Sequence, residues 1–308
     1  MNLKITDVPG LQVGHDTDSQ GATGCTVILC GRDGAVAGVD VRGSAPGTRE
    51  TDLLKPTAMV ERVHAICLSG GSAFGLAAAD GVMRHLREQQ IGVDTGVARV
   101  PIVPAAVIFD LGTGSSTAHP DSESGYRACR AAAADRPLEE GSVGAGTGAT
   151  VGKFLGPGGS MPGGVGSAAL RIGGVTVGAI AVVNAMGDVL APDGSILAGA
   201  RREDGTFVDT QRALLAGERR RGREALGRLS NTTLAVVATD ATLTKAQCQK
   251  LAELAQDAFA ITIRPVHTMS DGDTVFALST GALEVDFLAL GAAAVEVVSI
   301  AIRRAVSH

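Results

Sequence analysis

A single layered α/β domain is what this sequence predicts, and three observations predict it. Short apolar runs of strand length alternate with Ala-rich stretches of helical period along most of the chain. Of its 308 residues 45% are hydrophobic but only 3% aromatic, with 42 Gly, one Tyr and no Trp. Such a core has to be packed from Ala, Val, Ile and Leu, with the backbones of its elements close together. No internal repeat and no clean boundary divides the chain, so residues 1–308 are read as one domain.

Taken in order, residues 23–41 read as paired strands around a Gly-Arg-Asp-Gly turn, and 43–56 as a loop. A strand over 65–68 leads through Ser69-Gly70-Gly71-Ser72 into a helix from about 73 to 90, with Ser72 as its cap. Residues 100–109 are apolar and interrupted by proline, and 120–138 resemble a second Ala-rich helix. Glycine dominates 141–174, overlapping the first of two strands at 166–172 and 175–184. A polar connection, part loop and part helix, spans 188–231; loops of that length are usually functional or mobile. Order returns with a strand at 233–239, a helix at 243–258, strands at 261–264 and 274–279, and a closing helix at 284–305.

Composition excludes several functions. The net charge of −5 gives no global positive field for nucleic acid or an anionic membrane. The arginines between Arg219 and Arg223 are flanked by Glu218 and Glu224, as in a solvated surface segment. Cysteines 25, 30, 67, 129 and 248 form no C-x-x-C pair, which points to reduced, mostly buried thiols. The N-terminus lacks the apolar run and cleavage site of a signal peptide, so a cytoplasmic location is expected. The most apolar stretch, 165–183, contains Arg171 and several glycines and alternates like strands, so no membrane span is expected.

Familiar motifs are not met. Gly144-Ala-Gly146-Thr-Gly148 lacks dinucleotide-fingerprint spacing, and Gly152-Lys153 is followed by Phe154 where a phosphate loop needs Ser or Thr. The loop at Ser72 misses the nucleophile-elbow pattern, since Phe74 stands where Gly is required. His15-Asp16-x-Asp18 could touch a metal, but no second cluster completes a shell, and His267 reads as structural. Neither cofactor nor metal is expected.

The stretch Leu-Ser-Asn-Thr-Thr-Leu-Ala-Val-Val-Ala-Thr-Asp, 229–240, admits three readings. Asn231-Thr232-Thr233 fits a glycosylation acceptor, which the expected cytoplasmic location sets aside. It also fits a polar turn entering a buried strand. The third reading is a self-cut bond between Asn231 and Thr232 that leaves Thr232 as a new terminus. An N-terminal threonine carries its own base, because the α-amine accepts the hydroxyl's proton. That amine has a pKa of roughly 7.7–8.0, far better matched to neutral pH than a lysine. Two further elements suit this reading. Asp271 and Asp273, two residues apart, share a face if extended and could orient the ammonium and hydroxyl of Thr232. Asn184, at a strand end, offers an amide donor to an oxyanion. Asp-Gly and Asn near Gly are equally common in plain turns.

Nearly the whole chain resembles the autoproteolytic L-aminopeptidase/D-amino-acid esterase-amidase family, also called β-peptidyl aminopeptidases. Within it the sequence is most similar to the 6-aminohexanoate-oligomer (nylon-oligomer) endohydrolases. The resemblance rests on Ile-Thr-Asp-Val-Pro-Gly-Leu-Gln-Val-Gly-His near the start, Leu-Ser-Gly-Gly-Ser-Ala-Phe-Gly-Leu, Val-Gly-Ala-Gly-Thr-Gly-Ala, and above all Asn-Thr-Thr-Leu-Ala-Val-Val-Ala-Thr-Asp-Ala. It implies a four-layer αββα sandwich resembling the N-terminal-nucleophile hydrolases, cut into 1–231 and 232–308. It implies Thr232 as nucleophile, with Thr233 as an off-by-one rival, Asp271 and Asp273 as its carboxylate partners, Asn184 on the oxyanion side and Lys153 as an active-site lysine. The implied substrates are linear amides such as 6-aminohexanoate oligomers, or short peptides with free amino termini. Cleaved protomers are expected to form homotetramers. Two other functions stay open: an acyltransferase of the same fold class that moves an acetyl group from acetyl-ornithine to glutamate, and a non-catalytic small-molecule-binding protein that uses the glycine loops.

Overall fold

The computed structural model describes residues 3–134, 136–219 and 231–308. Its main strands are β1 (Gln12–Asp18), β2 (Thr23–Leu29), β3 (Ala35–Val41), β4 (Ala65–Ser69), β5 (Ala105–Val107), β6 (Gly164–Ile172), β7 (Val175–Asn184), β8 (Thr232–Ala241) and β9 (Thr274–Leu283). The helices are α1 (Ala78–Glu88), α2 (Ser122–Ala132), α3 (Thr210–Leu215), α4 (Lys245–Ala255), α5 (Asp257–Thr262) and α6 (Phe287–Arg304). One sheet runs β1-β2-β4-β5 and ends on the short strand Thr48–Arg49; the other runs β6-β7-β8-β9-β3 and ends on Arg62–Val63.

Side-chain alternation stacks these sheets into four layers. Ile28, Ile66, Leu68 and Ile108 of the first sheet meet Ile180, Val182, Leu234, Val236 and Phe276 of the second in one buried layer. The outer face of the first sheet packs Val27 and Cys67 against Val82 and Leu86 of α1 and Ala128 of α2. The outer face of the second packs Val177, Ala235, Val237 and Ala277 against α4, α5 and α6. Because β7, β8 and β9 are covered on both sides, they read as near-continuous apolar runs. This is the αββα sandwich.

Small residues are what allow the layers to close. A Cβ at Gly38 in β3 would lie 2.2 Å from the Gln249 nitrogen of α4, and one at Gly166 in β6 would lie 2.2 Å from the Ala301 carbonyl oxygen of α6. Gly166→Ala is therefore expected to push α6 outward, at a cost of about 1–3 kcal/mol. Thermal denaturation checks this against Gly158→Ala, whose added carbon would meet nothing within 4 Å. An equal melting temperature for the two variants would contradict the packing argument.

Three expectations are corrected. Residues 23–41 do not form a hairpin: β2 pairs with β1 and β4, whereas β3 pairs with β9 and Arg62–Val63 in the other sheet. Gly31 and Gly34, at φ 70° and 68°, let the chain step between sheets, so Ile28 and Ala37 enter the inter-sheet core from different sheets. Ser72 caps no helix; it takes φ 53° in the 3₁₀ turn Ser72–Ala77, and α1 begins after it without a side-chain cap. The second helix is shorter than 120–138, because Asp121 accepts the Ser124 N–H and starts α2 at Ser122. The described part of the 188–231 connection carries the strands Asp188–Leu190 and Ile196–Ala198 as well as α3. Buried Asp188 gathers it by accepting the N–H groups of Ala200 and Thr210 and the Thr210 hydroxyl. The arginine run from 220 onward lies outside the described residues.

Candidate active site

Thr232 opens β8, at the centre of the six-stranded sheet, and is buried. Antiparallel pairing places Asn184 of β7 opposite it, and parallel pairing sets Leu234 beside Thr274 of β9. Strand alternation puts Thr232 on the inter-sheet face with Leu234 and Val236, and turns Thr233 to the helix-covered face with Ala235 and Val237. The two threonines are thereby separated. The Thr232 hydroxyl lies 2.5 Å from the carbonyl oxygen of Asn231, which also accepts the Gly272 N–H at 3.2 Å. The Thr233 hydroxyl is buried with no partner among the described residues.

Asp271 and Asp273 are both buried in the segment beside the Asn231–Thr232 junction, where Asn231 bridges Asp271 in parallel register. Asp273 reaches Thr232 through the next peptide. Its Oδ1 accepts the Thr233 N–H at 2.7 Å, and its Oδ2 accepts the His267 backbone N–H at 3.1 Å and faces His267 Nδ1 at 2.8 Å. His267 thus braces Asp273, with its ring stacked on Phe259. Asp271 Oδ2 accepts the Thr268 N–H at 2.6 Å, and its carbonyl accepts the Ala45 N–H. Burial, reinforced by the charge of Asp273, pushes the Asp271 carboxyl up to about 6; hydrogen bonds from Thr268 and the charge of Lys153 pull the other way.

Lys153 is brought into the same centre. It lies buried in the 3₁₀ turn Lys153–Leu155, and its Nζ donates to Asn184 Oδ1 at 2.7 Å and to the Asn184 carbonyl at 3.2 Å. Asn184 Oδ1 also accepts the Thr150 N–H at 3.0 Å, and its Nδ2 donates to the Phe109 carbonyl at 3.0 Å. An ammonium has donors only, so Lys153 forces the amide oxygen toward itself and the amide nitrogen away.

Sequence reasoning missed Phe109 and Asp110. Their one signal was a polar residue closing the apolar run at 100–109. Asp110 is buried and accepts the Thr23 hydroxyl at 2.7 Å and the Gly71 N–H at 2.6 Å, which fixes the loop that supplies Phe109. Burial raises its carboxyl above the usual range. Beside Lys153 opens a cavity of about 310 Å³ lined by Phe109, Gly112, Thr113, Gly114, Thr150, Pro157 and Ser160.

The other candidates have protein partners elsewhere. His15 Nδ1 meets the Thr26 hydroxyl, Asp16 holds Arg127 through two 2.7 Å contacts, and Asp18 accepts the N–H groups of Gln20 and Gly21. All five cysteines are buried and unbridged, and burial pushes Cys30, Cys67 and Cys248 up to about 12.

Against this geometry, the family model of peptidase family S58 matches residues 3–308. The chain belongs to peptidase family S58. An uncharacterized aminopeptidase of Mycobacterium leprae is 47% identical over 307 residues, covering 91% of this S58 chain and 79% of that protein. A 6-aminohexanoate-oligomer endohydrolase of Kocuria sp. strain KY2 is 32% identical over 311 residues, covering 94% and 82%. Among solved structures, a Burkholderia sp. beta-aminopeptidase superposes with a TM-score of 0.72 at 23% identity, covering 99% of this chain and 88% of that one. The L-aminopeptidase D-Ala-esterase/amidase of Ochrobactrum anthropi, described as a new variant among the Ntn hydrolase fold, gives 0.67 at 20%, covering 98% and 85%. This S58 chain is a hydrolase acting on amide or peptide bonds, built on the Ntn-type sandwich. No helix among its described residues is long and apolar enough to cross a membrane.

Proposed function

We propose that the chain is an autoproteolytically matured amide hydrolase that cuts its own Asn231–Thr232 bond and then uses Thr232 as nucleophile. The observation that carries this reading is the Thr232 hydroxyl, buried and 2.5 Å from the carbonyl oxygen of the bond to be cut. Once that bond opens, Thr232 acquires an amine beside its own hydroxyl, and the amine serves as the base. Asp271 and Asp273 are proposed to hold the resulting ammonium. Asn184, oriented by Lys153, is proposed to donate to the oxyanion of the substrate amide. Buried, hydrogen-bonded donors act strongly there because water does not compete with them.

The cavity beside Lys153 supports a linear amide substrate. Its walls offer hydroxyls from Thr113, Thr150 and Ser160, the Phe109 ring and Pro157, with the Lys153 ammonium as the charge and no carboxylate among the lining residues. Hydroxyl and apolar walls of this kind match a neutral amide chain. We therefore favour interior amides, with 6-aminohexanoate oligomers as the sharpest candidate. The 47% identity to an uncharacterized aminopeptidase favours a second reading, release of amino-terminal residues from short peptides.

Intact mass of the purified protein tests the mechanism, with fragments 1–231 and 232–308 expected. A single uncut chain that still hydrolyses amides would defeat it. Comparing free with N-acetylated 6-aminohexanoate oligomers tests the substrate reading. Turnover is expected to survive acetylation, and its loss would favour the aminopeptidase.

A further inference from the structure

We infer that Gly272 is the positioning residue for self-scission, supplying the oxyanion donor through its N–H and room for the attacking hydroxyl through its missing side chain. This rests on the reading that the Asn231–Thr232 bond is self-cut. Two independent observations converge on it. The Gly272 N–H donates to the Asn231 carbonyl oxygen at 3.2 Å. A Cβ at position 272 would lie 2.8 Å from Thr232 Oγ1 and 2.7 Å from the Ala45 carbonyl oxygen. Neither depends on left-handed backbone at this residue; proximity alone demands glycine.

The chemistry follows from the placement. Thr232 Oγ1 attacks the Asn231 carbonyl carbon, a C–O bond forms, and negative charge collects on the oxygen that the Gly272 N–H already addresses. The C–N bond then breaks, and the proton lost by the hydroxyl finishes on the Thr232 nitrogen, leaving an ester. Water adds to that ester, its C–O bond breaks, and the Asn231 carboxyl and the Thr232 hydroxyl are released. The donor comes from the backbone of the segment that also carries Asp271 and Asp273, and that segment is pinned from its other side. The N–H of Ala45 bonds the Asp271 carbonyl, while those of Arg42 and Gly43 bond the Asp273 carbonyl. Gly272 is thus fixed before the reaction begins, as an oxyanion donor must be.

Two full-length variants test this. Gly272→Ala keeps the N–H and fills the space. Replacing the Asp271–Gly272 amide by an ester, with glycolic acid at 272, keeps the space and removes the N–H. Scission of purified precursor is followed by intact mass, with a cooperative thermal transition as the readout of folding. The ester variant is expected to cut about 10²–10³-fold more slowly, the loss typical of one oxyanion donor. The alanine variant is expected to cut at least about 10²-fold more slowly, with no acceleration by hydroxylamine, because ester formation itself is blocked. Scission of folded ester variant at the wild-type rate overturns the inference even if the alanine variant does not fold. So does rescue of the alanine variant by hydroxylamine, which would place the defect after the ester. Wild-type protein that stays uncut would instead sink the underlying reading.

Discussion

Replacing Thr232 by alanine is expected to give a folded, uncut chain with no measurable amide hydrolysis. The fold should survive because β8 is held by ladders to β7 and β9 over nearly its whole length and by a fully buried core on both faces. The variant gives up one side-chain hydrogen bond, worth about 1 kcal/mol. The chemical loss is far larger. Removing the nucleophile of a hydrolase costs on the order of 10⁶ in kcat, and here the base would vanish with it, since no new amine would form. Thr233→Ala is the companion measurement. Its hydroxyl has no partner among the described residues and faces the helix layer, so scission should proceed normally. Mass spectra of the two variants decide the matter: scission in Thr232→Ala, or its loss in Thr233→Ala, would reassign the nucleophile.

What the sequence disclosed about this site depended on how local each feature is. β7, β8 and β9 were legible because strands buried on both faces leave apolar runs with polar residues at their ends, and Asn184 and Thr232 are such ends. The spacing of Asp271 and Asp273 was legible too, but not that Asp273 grips Thr233 and His267. Lys153 came from the family resemblance, since a lone lysine in a glycine run carries no local mark of burial. That Phe109 and Asp110 belong to the site was hidden, beyond the polar end of their apolar run, for the same reason that the pairing of 23–41 differs from the expected hairpin. Period-two alternation says which faces are covered but not which sheet a strand joins, and these residues reach the site across the gap between sheets.

Asp271→Asn is expected to stabilise the uncut chain near neutral pH while suppressing the turnover of the cut enzyme. Burial and the neighbouring Asp273 hold the Asp271 carboxyl at about 6, above its ordinary 3.8. The native state therefore binds this proton more tightly than the unfolded chain does. Its contribution to stability is fully present below about pH 4 and is lost as pH rises to about 6. Above that, the intact chain carries an unfavourable buried charge, costing on the order of 3 kcal/mol. Asparagine removes the charge and keeps an oxygen for the Thr268 N–H. Compared in a Thr232→Ala background, where no cut intervenes, the chain carrying Asp271→Asn should match its parent near pH 4 and melt several degrees higher at pH 7. A variant that melts lower at pH 7 would show that the carboxylate is compensated in the intact chain. In otherwise wild-type protein the same substitution should lower turnover by at least about 10²-fold, because a carboxylate placed to receive an ammonium is useful only once that ammonium exists. Cutting the chain would supply the countercharge, so the cut enzyme should lack the fall in stability between pH 4 and 6 that the uncut chain shows. Strain stored at a site before maturation would thereby be released by maturation itself.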